Sequence, residues 1–314
     1  MQHLQLGARD LWVSRLLFGT LTMGPLQRNL PIEEGAALIA YAYARGVTAV
    51  DTAEYYQNYP YIRAALPACP GLTIITKSYA YTRDGAKRSI ELAQEGMGTE
   101  RIGAFLMHEQ ESEHTLRGHA EAFDYYQELR DMGVIGAVGI STHHVAAVRA
   151  AAYWPGMDIV FPLINKAGLG IADGTRADME AAILEAHAAG RGILGMKVLG
   201  GGHLIAEREA ALDYALGLEC LDAIALGMQS EAEIEYNIAR FEGRKPDPDI
   251  AAKLDHTPRR LIVQDWCVGC GRCAARCGQG ALALSDGKAV VDGARCITCG
   301  YCAAVCPEFC LKVI

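Results

Sequence analysis

The chain has no tract of basic residues, no long apolar run, and no charged start followed by an apolar core. The first lack, together with a formal net charge of −8, disfavours nucleic acid or an anionic membrane as a partner, because the overall field repels polyanions. The second excludes a membrane-spanning helix, which needs ~20 consecutive apolar residues. The third excludes a secretory leader, so the expected location is cytoplasmic. No G-x-G-x-x-G follows the first predicted strand, so an open-sheet dinucleotide fold has no support. No flavin-binding motif is legible either.

What is present is a large apolar fraction, 51%, with 34 glycines for tight turns. A short hairpin is predicted at Leu4–Leu6 and Leu11–Val13, then a strand over Leu16–Thr20. From Pro31 the period changes to that of an amphipathic helix, stopped at Gly46. Apolar strand-like runs then alternate with helical segments: 48–51, 72–77, 102–108, 135–140, 157–163, 192–198 and 221–226. Counted from Leu16 these make eight strand–helix units, the number and size of a (β/α)8 TIM barrel in ~240 residues. Residues 1–242 are assigned to this barrel, and 243–260, with Pro246, Pro248 and Pro258, to a linker. Residues 261–314 are assigned to a small cysteine-dense α+β domain.

Nine of the 11 cysteines fall in the last fifty residues. Cys267, Cys270, Cys273 and Cys277 follow C-x2-C-x2-C-x3-C; Cys296, Cys299, Cys302 and Cys306 repeat it, with Pro307 after the second run. Clustering in a long chain reads as reduced thiolates holding metal rather than disulfides. Zinc would need only four ligands per site, and the duplicated three-plus-one spacing disfavours it. The tail resembles bacterial two-cluster ferredoxins. That resemblance implies two 4Fe–4S clusters, one held by Cys267, Cys270, Cys273 and Cys306, the other by Cys296, Cys299, Cys302 and Cys277. It departs from the pattern at Gly278, where a proline is usual. Cys310, Cys69 and Cys220 are read as small buried hydrophobes.

In the barrel portion, Asp51, Lys77 and His108 each end a predicted strand, where barrel enzymes place their chemistry. Tyr56 follows Asp51 by five residues. Hydride reduction of a carbonyl leaves an alkoxide that needs a proton. A tyrosine can give it if a nearby ammonium eases its loss from a phenol of pKa ~10, which is the expectation for Lys77.

The segments Gly46–Tyr56, Thr76–Ser78, Leu106–His108 and Gly139–Ser141 resemble the aldo-keto reductase family over about residues 1–242. The resemblance implies a tetrad of Asp51, Tyr56, Lys77 and His108, with Tyr56 rather than Tyr55 as proton donor. It implies a nicotinamide, NADH or NADPH, with Ser141 and Asn165 on its carboxamide. Met196 stands where the family often stacks a tyrosine, followed by Lys197; the Gly200–Gly202 loop approaches the diphosphate. The stretch from Gly227 to Asn237 takes the adenosine end, and its Glu231, Glu233 and Glu235 would repel a 2′-phosphate.

The expected reaction is a carbonyl–alcohol interconversion on a small molecule. The source of electrons stays open between a nicotinamide, an external redox partner protein feeding the clusters singly, and a relay role in a larger assembly.

Overall fold

The computed structural model describes residues 1–314. A hairpin of β1 (His3–Gln5) and β2 (Trp12–Ser14) precedes the barrel. The barrel units are β3 (Leu16–Gly19) and α1 (Ile32–Tyr43), β4 (Ala49–Asp51) and α2 (Tyr59–Ala65), and β5 (Thr73–Ser78) and α3 (Arg83–Met97). Next come β6 (Ile102–Met107) with α4 (Glu113–Gly118) and α5 (Ala120–Asp131), β7 (Ile135–Thr142) with α6 (Val145–Tyr153), and β8 (Ile159–Pro162) with α7 (Arg176–Ala188). The last are β9 (Gly192–Gly195) with α8 (Arg208–Leu216) and β10 (Ala223–Gly227) with α9 (Glu231–Phe241).

Strands β3 to β10 pair in parallel and close on themselves, in the order β10-β3-β4-β5-β6-β7-β8-β9. Each strand is buried on both faces, one against the helices and one inside the barrel, which is why these segments read as unbroken apolar runs rather than alternations. Turn chemistry agrees locally. Thr82 caps α3 by accepting from the Gly85 amide at 3.1 Å, and Gly98 ends it at φ 68°. The helical stretch after β6 is two segments meeting at His119, whose φ of −105° lies outside the helical range.

Two departures concern the C-terminal third. The expected linker contains α10 (Pro248–Asp255), capped by Asp247 and anchored by the buried Leu254 and an Arg208–Asp255 ion pair of 2.8 Å. Its three prolines suggested a spacer, but Pro248 sits at the first helical turn, where its missing N–H costs nothing. The cysteine-rich domain comprises β11 (Leu261–Val263), α11 (Arg272–Arg276), the hairpin β12 (Leu282–Ser285) and β13 (Lys288–Val291), and β14 (Leu311–Val313), which pairs antiparallel with β11.

This domain is packed on the barrel. The barrel's interior cluster, which includes Leu17, Ile75, Leu106 and Phe161, is closed at the N-terminal end by Leu6 and Val13 of the hairpin. At the C-terminal end the same cluster takes in Ala303 and Phe309 from the cysteine-rich domain. His203 Nε2 lies 2.9 Å from the Leu311 carbonyl, and a Cβ at Gly202 would fall 1.9 Å from the Val313 carbonyl oxygen. No helix is long and apolar enough to cross a membrane.

Candidate active site and cysteine-ringed spaces

Strand β4 ends at Asp51, and the single helical turn Glu54–Tyr56 that follows carries Tyr56. Lys77 lies on β5 and is 1% exposed; its Nζ donates to Asp51 Oδ1 at 2.5 Å and to the Thr52 carbonyl at 2.8 Å. The same ammonium is 5.2 Å from the centre of the Tyr56 ring. His108, one residue past β6, meets Tyr56 edge-on with centroids 5.7 Å apart and is stacked on Tyr79 at 4.5 Å. The four residues expected to act together are therefore one cluster at the C-terminal mouth of adjacent strands.

The electrostatics differ from the expectation in one respect. The Tyr56 phenol is pushed well above 10 by burial, with Asp51, Glu109 and Tyr79 adding to it. Lys77 does not bring it down, because its charge is offset by Asp51 in direct contact. Burial raises the Asp51 carboxyl and Lys77 pulls against that rise. Burial, with Lys77 beside it, holds His108 at about 3, so its ring is neutral. Its Nδ1 is buried without a partner.

A cleft with about 1200 Å³ of open space runs from this cluster across the barrel rim. It is lined by Leu21, Thr22, Asp51, Tyr56, Met196, Lys197, Gly201, Gly202, Gly227, Gln229, Glu233 and Asn237; Lys77 and His108 do not line it. Met196, Lys197, Gly227 and Asn237 thus line one cleft. Gly200 lies beneath the loop, buried.

Ser141 and Asn165 do not line the cleft. Ser141 Oγ accepts from the Glu109 amide at 3.1 Å. The Asn165 amide donates to the Leu169 carbonyl at 2.9 Å and accepts from the Leu169 amide at 3.0 Å, so its polar atoms are spent on its own loop. Both are fully buried. Of the three acids after Gly227 expected to repel a 2′-phosphate, two are paired, and Glu231 is exposed without an ion pair. Glu233 is paired with Arg259 at 2.9 Å, and Glu235 with Arg45 and Tyr41 on the outer surface. Arg208 and Arg259 line the cleft, supplied from outside the acidic segment.

Around the expected Lys197 stand residues that carry no signal in the sequence: Glu109, Phe309 and Trp266. Glu109, in a left-handed conformation at φ 48°, follows His108 directly and accepts from the Tyr79 hydroxyl at 2.6 Å. Burial raises its carboxyl, but Lys197, His108 and His143 outweigh that and hold it at about 2. Lys197, lowered by burial to about 8, lies with its Nζ 2.6 Å from His143 Nε2. Phe309, from the cysteine-rich domain, sits over this group, 5.7 Å from the Lys197 ammonium. Trp266 reaches the opposite rim, 6.3 Å from the Tyr55 ring. Only the adjacency of Glu109 to His108 was available as a clue.

The cysteines ring two spaces. One, of about 280 Å³, is lined by Cys267, Cys270, Cys273, Cys306 and Cys310. The other, of about 420 Å³, is lined by Cys277, Cys296, Cys299 and Cys302. These are the two crossed groupings that the ferredoxin resemblance implies. Nowhere do three His, Cys, Asp or Glu side chains converge tightly enough for a single ion. The thiols instead stand around volumes. Amides point at two of the sulfurs, Ala289 N to Cys267 at 3.4 Å and Ala281 N to Cys277 at 3.3 Å. Cys310, expected to be inert, is buried with its sulfur 3.4 Å from that of Cys306.

Comparison with known proteins agrees with this division. Residues 15–209 match the aldo/keto reductase family, and residues 260–307 match the 4Fe-4S dicluster domain. No curated protein matches the chain. A solved structure from Pseudomonas aeruginosa, assigned to the aldo-keto reductases, is 24% identical over 80% of this chain and 94% of its own, with a TM-score of 0.63. An aldo-keto reductase from Bacillus halodurans is 16% identical over 81% of this chain and 95% of its own, with a TM-score of 0.65. These likenesses establish a shared barrel.

Proposed function

Because the chain belongs to the aldo/keto reductase family, we propose that its barrel mouth interconverts an aldehyde or ketone and an alcohol, with Tyr56 as the proton donor. The observation that carries this reading is the cluster of Tyr56, the buried Asp51–Lys77 pair and neutral His108, of which Asp51 and Tyr56 line the open cleft. A nicotinamide held in that cleft would supply or accept the hydride. Asp51 holds the Lys77 ammonium beside the Tyr56 ring. His108, uncharged, hydrogen-bonds the carbonyl oxygen and orients it toward the phenol. Tyr56 then delivers its proton to that oxygen as charge develops there. Tyr55, Tyr79 and Trp266 form an aromatic group beside His108, on which Tyr79 is stacked, and would suit a substrate with an apolar body.

The cysteine residues fit 4Fe–4S clusters: Cys267, Cys270, Cys273 and Cys306 would hold one, and Cys277, Cys296, Cys299 and Cys302 the other, each supplying single-electron storage. A second reading takes reducing equivalents from a partner protein through the cysteine-rich domain, with no nicotinamide. It is favoured by the engagement of Ser141 by the Glu109 amide and of Asn165 by its own loop, and by Phe309 standing over the mouth three residues after Cys306. Anaerobic titration of the purified protein with NADH, NADPH and dithionite, with an aldehyde panel as substrate, separates the two. Nucleotide-supported carbonyl reduction lost in Tyr56→Phe supports the first reading. Absence of any nucleotide binding overturns it in favour of the second.

A further inference from the structure

Strand β14 alternates as its period demands. Leu311 and Val313 face the apolar core of the cysteine-rich domain, and Lys312 between them faces the barrel. Lys312 is 4% exposed, lines the open cleft, and has no hydrogen-bond partner at its Nζ. Its neighbour is the Phe309 ring, 3.5 Å from the ammonium to the centroid. A ring face attracts a cation but replaces none of the hydrogen bonds that water gave it, and a buried ammonium ordinarily finds an acceptor. No acidic side chain is paired with it. Burial, with like-charged Lys197 nearby, pushes it well below the ordinary lysine value. The opposing wall is the Gly200–Gly202 loop, with φ of +59°, +65° and +91°. A Cβ at Gly201 would lie 3.0 Å from Lys312 Cδ and 3.3 Å from its Nζ. Bare backbone and an unpartnered cation therefore face the same part of the cleft.

We propose that Lys312 binds an anionic group, phosphate or carboxylate, of the ligand that enters the barrel cleft, so that the cysteine-rich domain completes the barrel's binding site. The anion has two sources, the diphosphate of a nucleotide or the carboxylate of a substrate. The nucleotide source rests on the nicotinamide reading above; binding of an inorganic anion does not.

The test is calorimetric titration of the cluster-loaded full chain, under anaerobic conditions, with pyrophosphate, ADP-ribose and malonate in turn. Wild-type protein binds at least one probe, Lys312→Met binds it at least tenfold more weakly, and Lys312→Arg retains most of the affinity. Without any probe, Lys312→Met keeps its iron content and melts no lower than wild type, because it loses a buried amine without a hydrogen-bond partner. Lysine-dependent binding of ADP-ribose identifies the nucleotide source; lysine-dependent binding of malonate alone identifies the substrate source. Equal affinities in wild type and Lys312→Met, or no binding by wild type, overturn the proposal. Lysine-dependent pyrophosphate binding without nucleotide-supported turnover would leave this inference standing while the nicotinamide reading fell.

Discussion

Neutralising Asp51 should destabilise the barrel, and removing Lys77 as well should restore it without restoring activity. Lys77 is 1% exposed, and its ammonium is held by Asp51 Oδ1 at 2.5 Å and the Thr52 carbonyl at 2.8 Å. Asp51→Asn leaves that cation buried with a carbonyl and a weak amide acceptor. Breaking one side of a buried pair costs about 3–5 kcal/mol. With an unfolding entropy of about 2.1 cal/mol/K per residue over roughly 240 barrel residues, that lowers Tm by about 6–10 °C. Lys77→Met alone should cost a similar amount, since it strands a buried carboxylate. The double variant Asp51→Asn/Lys77→Met removes both charges and should melt within about 2–4 °C of wild type, because a buried pair replaced as a unit is close to neutral in stability. Carbonyl reduction should fall by about 10²–10⁴ in all three variants, the range for loss of a positioned acid–base group. The measurements are anaerobic thermal unfolding at matched iron content and a steady-state assay on an aldehyde panel. A double variant as unstable as the sum of the two singles would show that the charges are not coupled. A double variant with wild-type turnover would remove the pair from the mechanism.

Tyr56→Phe should abolish carbonyl reduction while leaving Tm and ligand binding near wild type, as read by titration and unfolding. Lys197 titrates at about 8, among Glu109, His143, Lys77, Asp51 and Lys312. Affinity for an anionic ligand should therefore fall as pH rises through about 8, when this ammonium is lost, and Lys197→Met should flatten that step in a pH series of titrations. Gly202→Ala puts a Cβ 1.9 Å from the Val313 carbonyl oxygen at a φ of +91°. It should loosen the tail from the barrel, seen as faster proteolysis near residues 256–266 and weaker Lys312-dependent binding. Cys270→Ser and Cys299→Ser should each lower iron from about eight to about four per chain, since each thiol lines a different space.

The barrel was legible because its signals are local and repeated. Each strand is buried on both sides, so the apolar runs stood out, and Asp51, Lys77 and His108 fell at their ends by counting alone. The cysteine groupings were legible from spacing. What could not be read was side-chain pairing across distant segments. Glu233 looked like an obstacle to phosphate until Arg259, twenty-six residues on, was seen to pair with it. Ser141 and Asn165 carried the right residue types, but whether their polar atoms are free depends on the loops at Glu109 and Leu169. Phe309 and Lys312 looked like ordinary tail residues. Their roles arise only because two domains dock, and no periodicity within either domain encodes that contact.

The same cross-domain placement bears on the protonation state of Tyr56. The sequence suggested a phenol whose proton loss is eased by Lys77. In the fold, burial raises the Tyr56 phenol above its ordinary value, and Asp51, which offsets that lysine, and Glu109 add to the rise. Glu109 stays charged because Lys197 lies close by, and Phe309 of the cysteine-rich domain sits over that lysine. A phenol held protonated in this way is an available acid throughout the neutral range. It gives up its proton only to a stronger base, and the alkoxide formed by hydride addition to a carbonyl is one. Alcohol oxidation needs the phenolate, which this environment disfavours. Because a catalyst speeds both directions alike, the protonated phenol sets the pH at which each direction runs fastest and leaves the equilibrium between carbonyl and alcohol unchanged.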